Sequence, residues 1–100
     1  MPKVSRKGDS LSTGHLCTGT TTLDTPGQST VFAEGELVAR KGDLTVSHTI
    51  GADPPCVPHT APVNVGSATV FVVGKKCARD KDSADAGNMT SGASTVFAGG

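Results

Sequence analysis

The sequence predicts an all-β fold with pseudo-threefold symmetry, and the prediction rests on three recurring segments. A strand sequence occurs three times, as STVF, ATVF and STVF at 29–32, 68–71 and 94–97. A turn sequence precedes each copy, as RKGD, RKGD and the weaker RDKD at 6–9, 40–43 and 79–82. Two links of the form G-x-x-x-A-R join the copies, in EGELVAR and VGKKCAR at 34–40 and 73–79. Recurrence in one order with a matching link indicates internal repeats.

The repeats divide the chain into three units within one domain. One hundred residues, 1–100, are the length of a single domain. The units are expected at about 6–35, 40–74 and 79–100. A strand pair from one unit cannot bury its apolar face alone, whereas three pairs around a common axis can.

Each unit begins with a turn and a variable loop. Gly8 and Gly42 supply the backbone freedom that a tight turn requires, and the aspartate that follows can hydrogen-bond the backbone. Glycine and proline interrupt the loops, and no window shows a convincing helical period. Helices are therefore not expected.

The strand sequences end each unit. STVFAEG and ATVFVVG are rich in β-branched and aromatic residues, and Gly35 and Gly74 bound them. ELVAR and KKCAR follow these glycines and are predicted as the second arms of hairpins. The three phenylalanines of the chain, Phe32, Phe71 and Phe97, occupy equivalent places in the copies. We expect them to pack in the core, and the alternative is a flat base that faces a partner.

Composition excludes several classes of protein. The formal net charge is zero, with nine basic and nine acidic residues in no long run of one sign, which argues against a nucleic-acid partner. The N-terminal segment MPKVSRKGDS has no apolar stretch, so no signal peptide is expected. The chain has no Trp or Tyr, and so small a core is expected to need a disulfide, a metal or a partner.

The histidines and cysteines predict a metal site in the loops. His15 and His48 follow the first and second turns by similar spacings, and His59 lies later in the second loop. Cys56 stands at C-x-x-H spacing before His59, so that one tight turn can present both to one ion. The predicted ligands are therefore His15, His48, Cys56 and His59. This closed set suits structural Zn²⁺, and iron is possible.

Two further cysteines compete for the fourth position. Cys17 lies two residues after His15, and it ranks second to Cys56. Cys77 ranks last because it replaces Val38 of the first link, where packing is the simpler role. With three cysteines and no export signal, metal binding is expected ahead of a disulfide framework.

Taken together, these segments resemble the PAAR-repeat proteins. The matching segments are STGHLC after the first turn, SH and a later His in the second loop, the strand sequence GSATVF, and the AR-x-x-D links. The resemblance covers about residues 4–100. The tetrapeptide Pro-Ala-Ala-Arg itself is absent, since its places hold LVAR and KCAR. Many members carry a Cys, a usual zinc ligand, before a Gly after the third turn, where this chain has Ala86 before Gly87.

The resemblance implies a mechanical function. Members form a small cone, or pyramid, with a metal near its vertex, and His15, His48 and His59 correspond to the family histidines. The base caps the blunt end of a trimeric β-helical spike, VgrG-like or from a phage tail, at one copy per trimer. Such a tip belongs to the baseplate of a virion or is secreted through a type VI secretion system. It pierces the target-cell envelope in transient contact, and no enzymatic activity is expected.

Two rival functions are open at the level of sequence. Three histidines and a metal could form a zinc hydrolase if one coordination position held water, and Asp53 is the acid within the second loop. Repeated Val- and Phe-containing strands could instead form a receptor-binding module.

Overall fold

The computed structural model describes residues 2–15, 17, 19–50 and 57–99, and in these residues every regular element is a strand. The predicted all-β fold is confirmed. The elements are β1 (Ser10–Ser12), β2 (Thr20–Thr22), β3 (Phe32–Ala33), β4 (Glu36–Leu37), β5 (His48–Ile50), β6 (Val57–His59), β7 (Phe71–Val72), β8 (Lys75–Lys76), β9 (Ser83–Ala84) and β10 (Gly87–Met89). No helix that could cross a membrane occurs in this part of the chain. The molecule is elongated, measuring 40 × 24 × 21 Å.

The strands form one sheet and three hairpins. The sheet has the order β2-β1-β10-β9, so the first and third units pair through β1 and β10. The hairpins β3–β4 and β7–β8 are the two that the repeats predict, although each ladder is only two residues long. The hairpin β5–β6 belongs to the second loop. All strand pairs are antiparallel.

A closed ring of backbone hydrogen bonds marks the pseudo-threefold axis. The N–H of Ser5 donates to the carbonyl of Ala78, that of Ala78 to Ala39, and that of Ala39 back to Ser5, at 2.9, 3.0 and 3.0 Å. Each of these residues directly precedes the arginine of a turn sequence, and each is fully buried. Only small side chains fit where three strands converge so closely. The repeats therefore occupy equivalent places around one axis.

An ion pair within each turn sequence holds it closed. The backbone N–H of Arg6, Arg40 and Arg79 donates to the carboxylate three residues later, at 2.6, 2.7 and 2.9 Å. The guanidinium of the same arginine also contacts that carboxylate. At the third turn position Gly8 and Gly42 have φ of 86° and 93°, and Lys81 takes this conformation with φ of 74°.

Replacing Lys81 with glycine should stabilise the protein, because a left-handed conformation strains any residue that carries a Cβ. Relief of that strain stabilises the folded state, whereas the greater conformational freedom of glycine in the unfolded chain opposes it. The net effect is expected to add about 0.5–1 kcal/mol to the free energy of unfolding. Denaturant titration measures it. The matched control is Gly8→Lys, where a Cβ would meet no atom within 4 Å, so only the backbone term acts. If the Lys81→Gly protein is less stable than the unaltered protein, the left-handed conformation does not strain Lys81.

The core has two apolar layers. One layer adjoins β1, β9 and β10 and comprises Leu11, Leu23, Ala39, Val63, Ala78, Ala84 and Met89. The other lies beneath the strand sequences of the repeats and comprises Val4, Ala33, Val38, Val72, Cys77, Ala93 and Ala98. The second layer is built mostly of Ala and Val, which are small enough to pack around a narrow axis.

The phenylalanines are not in the core, and the expectation that they pack there is wrong. Phe32, Phe71 and Phe97 are 58%, 56% and 45% exposed. Strand alternation explains this, because the residue after each phenylalanine is the buried one: Ala33, Val72 and Ala98. The three phenylalanines and the valine before each of them form one exposed surface, called the base patch: Val31, Phe32, Val70, Phe71, Val96 and Phe97.

The N-terminal segment completes the third side of the base. Lys3 pairs with Phe97 in an antiparallel bridge, and the N–H of Val4 donates to the carbonyl of Val96 at 2.9 Å. The third strand sequence therefore takes its second arm from residues 2–4, whereas the first two take theirs from the link that follows. Ser67 Oγ and the Arg79 guanidinium both donate to the carbonyl of Gly99 and fix the end of this side.

Candidate metal centre

Four side chains from all three units meet at one point. His15 follows β1, His48 begins β5, His59 ends β6, and Asp85 lies in the turn between β9 and β10. His48 and His59 are direct cross-strand partners, so one hairpin presents two imidazoles on the same face. Among the described residues these four offer ligand atoms that all lie within 4.8 Å of one another.

The carboxylate of Asp85 contacts all three imidazoles. Its Oδ1 lies 2.8 Å from Nε2 of His15 and 3.3 Å from Nε2 of His59, and its Oδ2 lies 2.7 Å from Nε2 of His48. The ring centroids of the histidines are 5.0–6.0 Å apart. The side chains of Asp85 and His48 are nearly buried, and those of His15 and His59 are partly exposed. The cluster is therefore reachable from solvent on one side.

The surrounding residues orient His48. Nδ1 of His48 lies 3.0 Å from the carbonyl of Val46, to which it donates, and 3.3 Å from Oγ1 of Thr45. A carbonyl only accepts hydrogen bonds, so the proton is placed on Nδ1 and Nε2 is directed into the cluster. This is the arrangement in which an imidazole usually binds a metal ion through Nε2.

The turn that carries Asp85 is held from two sides. The N–H of Asp85 donates to the carbonyl of Pro62 at 3.0 Å, and Asn64 Nδ2 donates to the Asp85 carbonyl at 2.9 Å. The N–H of Ala86 donates to the carbonyl of Thr13 at 3.1 Å. Asp85 itself has a φ of 55°, a conformation that aspartate tolerates better than most residues. The carboxylate is thus fixed by contacts to the first and second units.

Gly14 allows that close approach. A Cβ added to it would lie 2.6 Å from the carbonyl oxygen of Ala86, and its φ is 76°. The side-chain hydroxyl of Thr13 accepts the N–H of His15 at 3.1 Å, which fixes the residue that follows. The segment STG before His15 therefore positions this imidazole against the third unit.

Asp85 stays ionised in this setting. Burial raises the pKa of its carboxyl, but hydrogen bonds from His15, His48 and His59 outweigh that effect and lower the pKa below its usual value. A carboxylate among three imidazoles is a donor set for a divalent transition-metal ion. An ion with bonds of about 2.1 Å separates tetrahedral ligand atoms by about 3.4 Å, which is close to the contacts here. The residues therefore fit a metal with small adjustments.

The predicted site residues have different outcomes. The structure brings His15, His48 and His59 together, as the repeats imply, and Cys56 lies outside the described residues. Cys17 is disulfide-bonded, so it cannot serve as the second-choice thiolate ligand, and at this cysteine the preference for metal binding over a disulfide is wrong. Asp53, the acid considered for a hydrolase, also lies outside the described residues.

Cys77 is a core residue, as its place in the link predicts. It is free and 1% exposed, and it bridges to Arg40 as Val38 bridges to Arg6. Burial raises the pKa of its thiol to about 11, so the reactive thiolate is scarce at neutral pH.

Asp85 is the site residue that sequence reasoning missed. The segment KDSADAGN contains two aspartates without a recognisable ligand motif, and neither is distinguished by residue type. One signal was available, because Asp85 directly precedes Ala86, the position at which the resembling family often carries a ligand cysteine. A search for a replacement ligand within one residue of that position would have found it.

A comparison with protein-family models identifies a relationship. A family model described as PAAR motif matches residues 18–88, which is more than half of the chain. No curated protein matches the sequence significantly.

Proposed function

The chain belongs to the PAAR-motif family, and we propose that it forms the tip of the central spike of a contractile injection machine. The family is associated with structural spike-tip proteins of type VI secretion and other contractile systems. In this proposal one copy caps a trimeric β-helical spike, VgrG-like or from a phage tail, and sharpens it for piercing an envelope. The protein then acts at the baseplate of a phage tail or is secreted through the injection system.

The base patch is the observation that carries this proposal. Three Val-Phe pairs, at 31–32, 70–71 and 96–97, lie exposed in equivalent positions around the axis. A contiguous apolar surface of this kind on a small protein is a feature of interaction sites. Its pseudo-threefold arrangement complements the end of a homotrimer, in which one patch occurs three times. A single chain can thus contact all three spike subunits in similar ways.

Strand edges favour the same partner. The hairpins at the base have ladders of only two residues, and in this proposal strands of the spike add beside them. A β-helical spike also ends in strands with exposed edges. Edge-to-edge pairing would supply backbone hydrogen bonds to both partners. The proposed contact therefore combines apolar packing with backbone hydrogen bonds.

The histidine cluster has a structural role in this proposal. His15, His48 and His59 would hold a divalent ion, with zinc the first candidate and iron the alternative. The ion would join the loop of the first unit to the hairpin of the second. A domain with a core of small residues gains stability when an ion crosslinks its loops.

Binding to a spike tests the proposal. The full chain is mixed with a homotrimeric VgrG-like β-helical spike or with a phage tail spike, and native mass spectrometry gives the composition. We expect one copy per trimer, bound with micromolar or tighter affinity. A spike from which the blunt end has been removed serves as the control and should not bind. Absence of a complex with either class of intact spike would contradict the proposal.

A further inference from the structure

The carboxylate of Asp85 contacts three histidines, and this geometry distinguishes Asp85 from the other buried aspartates. The other buried aspartates, Asp9, Asp43 and Asp82, each pair with an arginine in a turn sequence. Among the described residues Asp85 faces no arginine, and its carboxylate oxygens contact imidazole nitrogens at 2.7–3.3 Å. Its side chain is 5% exposed. It therefore occupies the place of a ligand, at the centre of the donor set.

From this geometry we infer that Asp85 is the fourth protein ligand of the ion, and that the site is a His₃Asp set without a thiolate. The inference rests on the metal role proposed above and deepens it. His48 supports it, because Nδ1 donates to the carbonyl of Val46 and leaves Nε2 for an ion. The carboxylate oxygens already lie beside each of the three Nε2 atoms. A cation among these four atoms would take over contacts that the side chains now make with one another.

The ligand set would connect all three units. His15 comes from the first, His48 and His59 from the second, and Asp85 from the third. The carboxylate is prepositioned by the hydrogen bonds from Asn64 and to Pro62. Four protein ligands also close a tetrahedral site, which leaves no position for substrate or for an activated water. The inference thus assigns the ion a structural role and removes the basis for a zinc hydrolase.

Replacing a thiolate by a carboxylate changes which ions the site prefers. Thiolate is a soft ligand, and carboxylate is a hard one that suits Zn²⁺, Fe²⁺ and Co²⁺ better than Cd²⁺. A thiolate ligand can also be oxidised by peroxide, whereas a carboxylate cannot. The ion should therefore be retained under oxidising conditions outside a cell.

Cobalt substitution tests the donor set directly. The full chain is stripped of metal and titrated with Co²⁺, and its absorption spectrum is recorded. We expect the visible bands of tetrahedral Co²⁺ without the near-ultraviolet charge-transfer band of a thiolate ligand. Asp85→Ala should weaken Co²⁺ binding at least about 100-fold, the loss seen when even an outer partner of a ligand is removed. Asp24→Ala, an exposed aspartate away from the cluster, is the matched control.

Asp85→Cys keeps the inference testable if the alanine variant fails to fold. A thiolate at position 85 should bring in the charge-transfer band and shift the preference toward Cd²⁺ relative to Zn²⁺. A thiolate band in the unaltered protein, or full affinity in Asp85→Ala, would overturn the inference. So would an Asp85→Cys protein that binds Co²⁺ without the band. Spike binding is measured in a separate experiment, so failure of this inference would not contradict the proposal that the protein is a spike tip.

Discussion

Phe71→Asp should greatly weaken binding to the trimeric spike and leave the protein folded. The ring is 56% exposed, so the substitution removes little from the core. At the spike surface it deletes a large apolar contact and places a charge in an apolar interface. Loss of a central aromatic anchor costs at least about 2–4 kcal/mol, or roughly 30- to 1,000-fold in Kd. Isothermal titration against the spike measures the change.

The pseudo-threefold symmetry supplies an internal check on this prediction. Phe32→Asp and Phe97→Asp should weaken binding to a similar extent, because both rings hold equivalent positions in the base patch. Leu44→Asp is the matched control, since Leu44 is 48% exposed but lies outside that patch. Unchanged affinity in Phe71→Asp, or an equal loss in Leu44→Asp, would show that the base patch is not the docking surface.

Removal of the metal should lower the melting temperature sharply. An ion present at about 1,000 times its dissociation constant adds about 4 kcal/mol to the free energy of unfolding. For a domain of this size that corresponds to a decrease in Tm of roughly 15–30 °C on chelation. His48→Ala should cause a loss of similar size without chelator, because the most buried ligand is removed. Calorimetry together with elemental analysis measures both effects.

Measurements in the presence of chelator separate the contribution of the metal to stability from the contribution of side-chain packing. Without metal, His48→Ala should differ from the unaltered protein only by the loss of the imidazole and its hydrogen bonds to Thr45, Val46 and Asp85. The difference between the two proteins should therefore be much smaller with chelator than without it. If chelation leaves Tm unchanged, or if His48→Ala retains its metal, the proposed ligand set is wrong.

Repetition made the fold predictable from sequence. The arginine-aspartate turns and the hairpins after Gly35 and Gly74 follow local rules, so their sequence signals survive in the folded protein. The convergence of His15 with the second-loop histidines also follows, because equivalent loops of a threefold arrangement approach one axis. These features need only the relation between one unit and the next.

Two kinds of feature were not predicted: the face that each strand buries, and the contacts between distant units. The phenylalanines were expected in the core because aromatic residues usually pack there, but alternation along each strand gives the buried place to Ala33, Val72 and Ala98. Asp85 was missed because its role exists only where a turn of the third unit meets loops of the other two. The disulfide at Cys17 likewise depends on proximity in space, which cysteine spacing does not determine.

The pairing of the N-terminal segment with the last strand sequence has a consequence for biosynthesis. The hydrogen bond from Val4 to Val96 and the bridge from Lys3 to Phe97 join opposite ends of the described chain. While the ribosome is still translating the third unit, the first two cannot close the cone, and their edges stay open. Contacts of such long sequence separation form slowly. Closure of the base therefore waits until residues 94–97 have left the ribosome, and chaperones have a window in which to shield the nascent β edges.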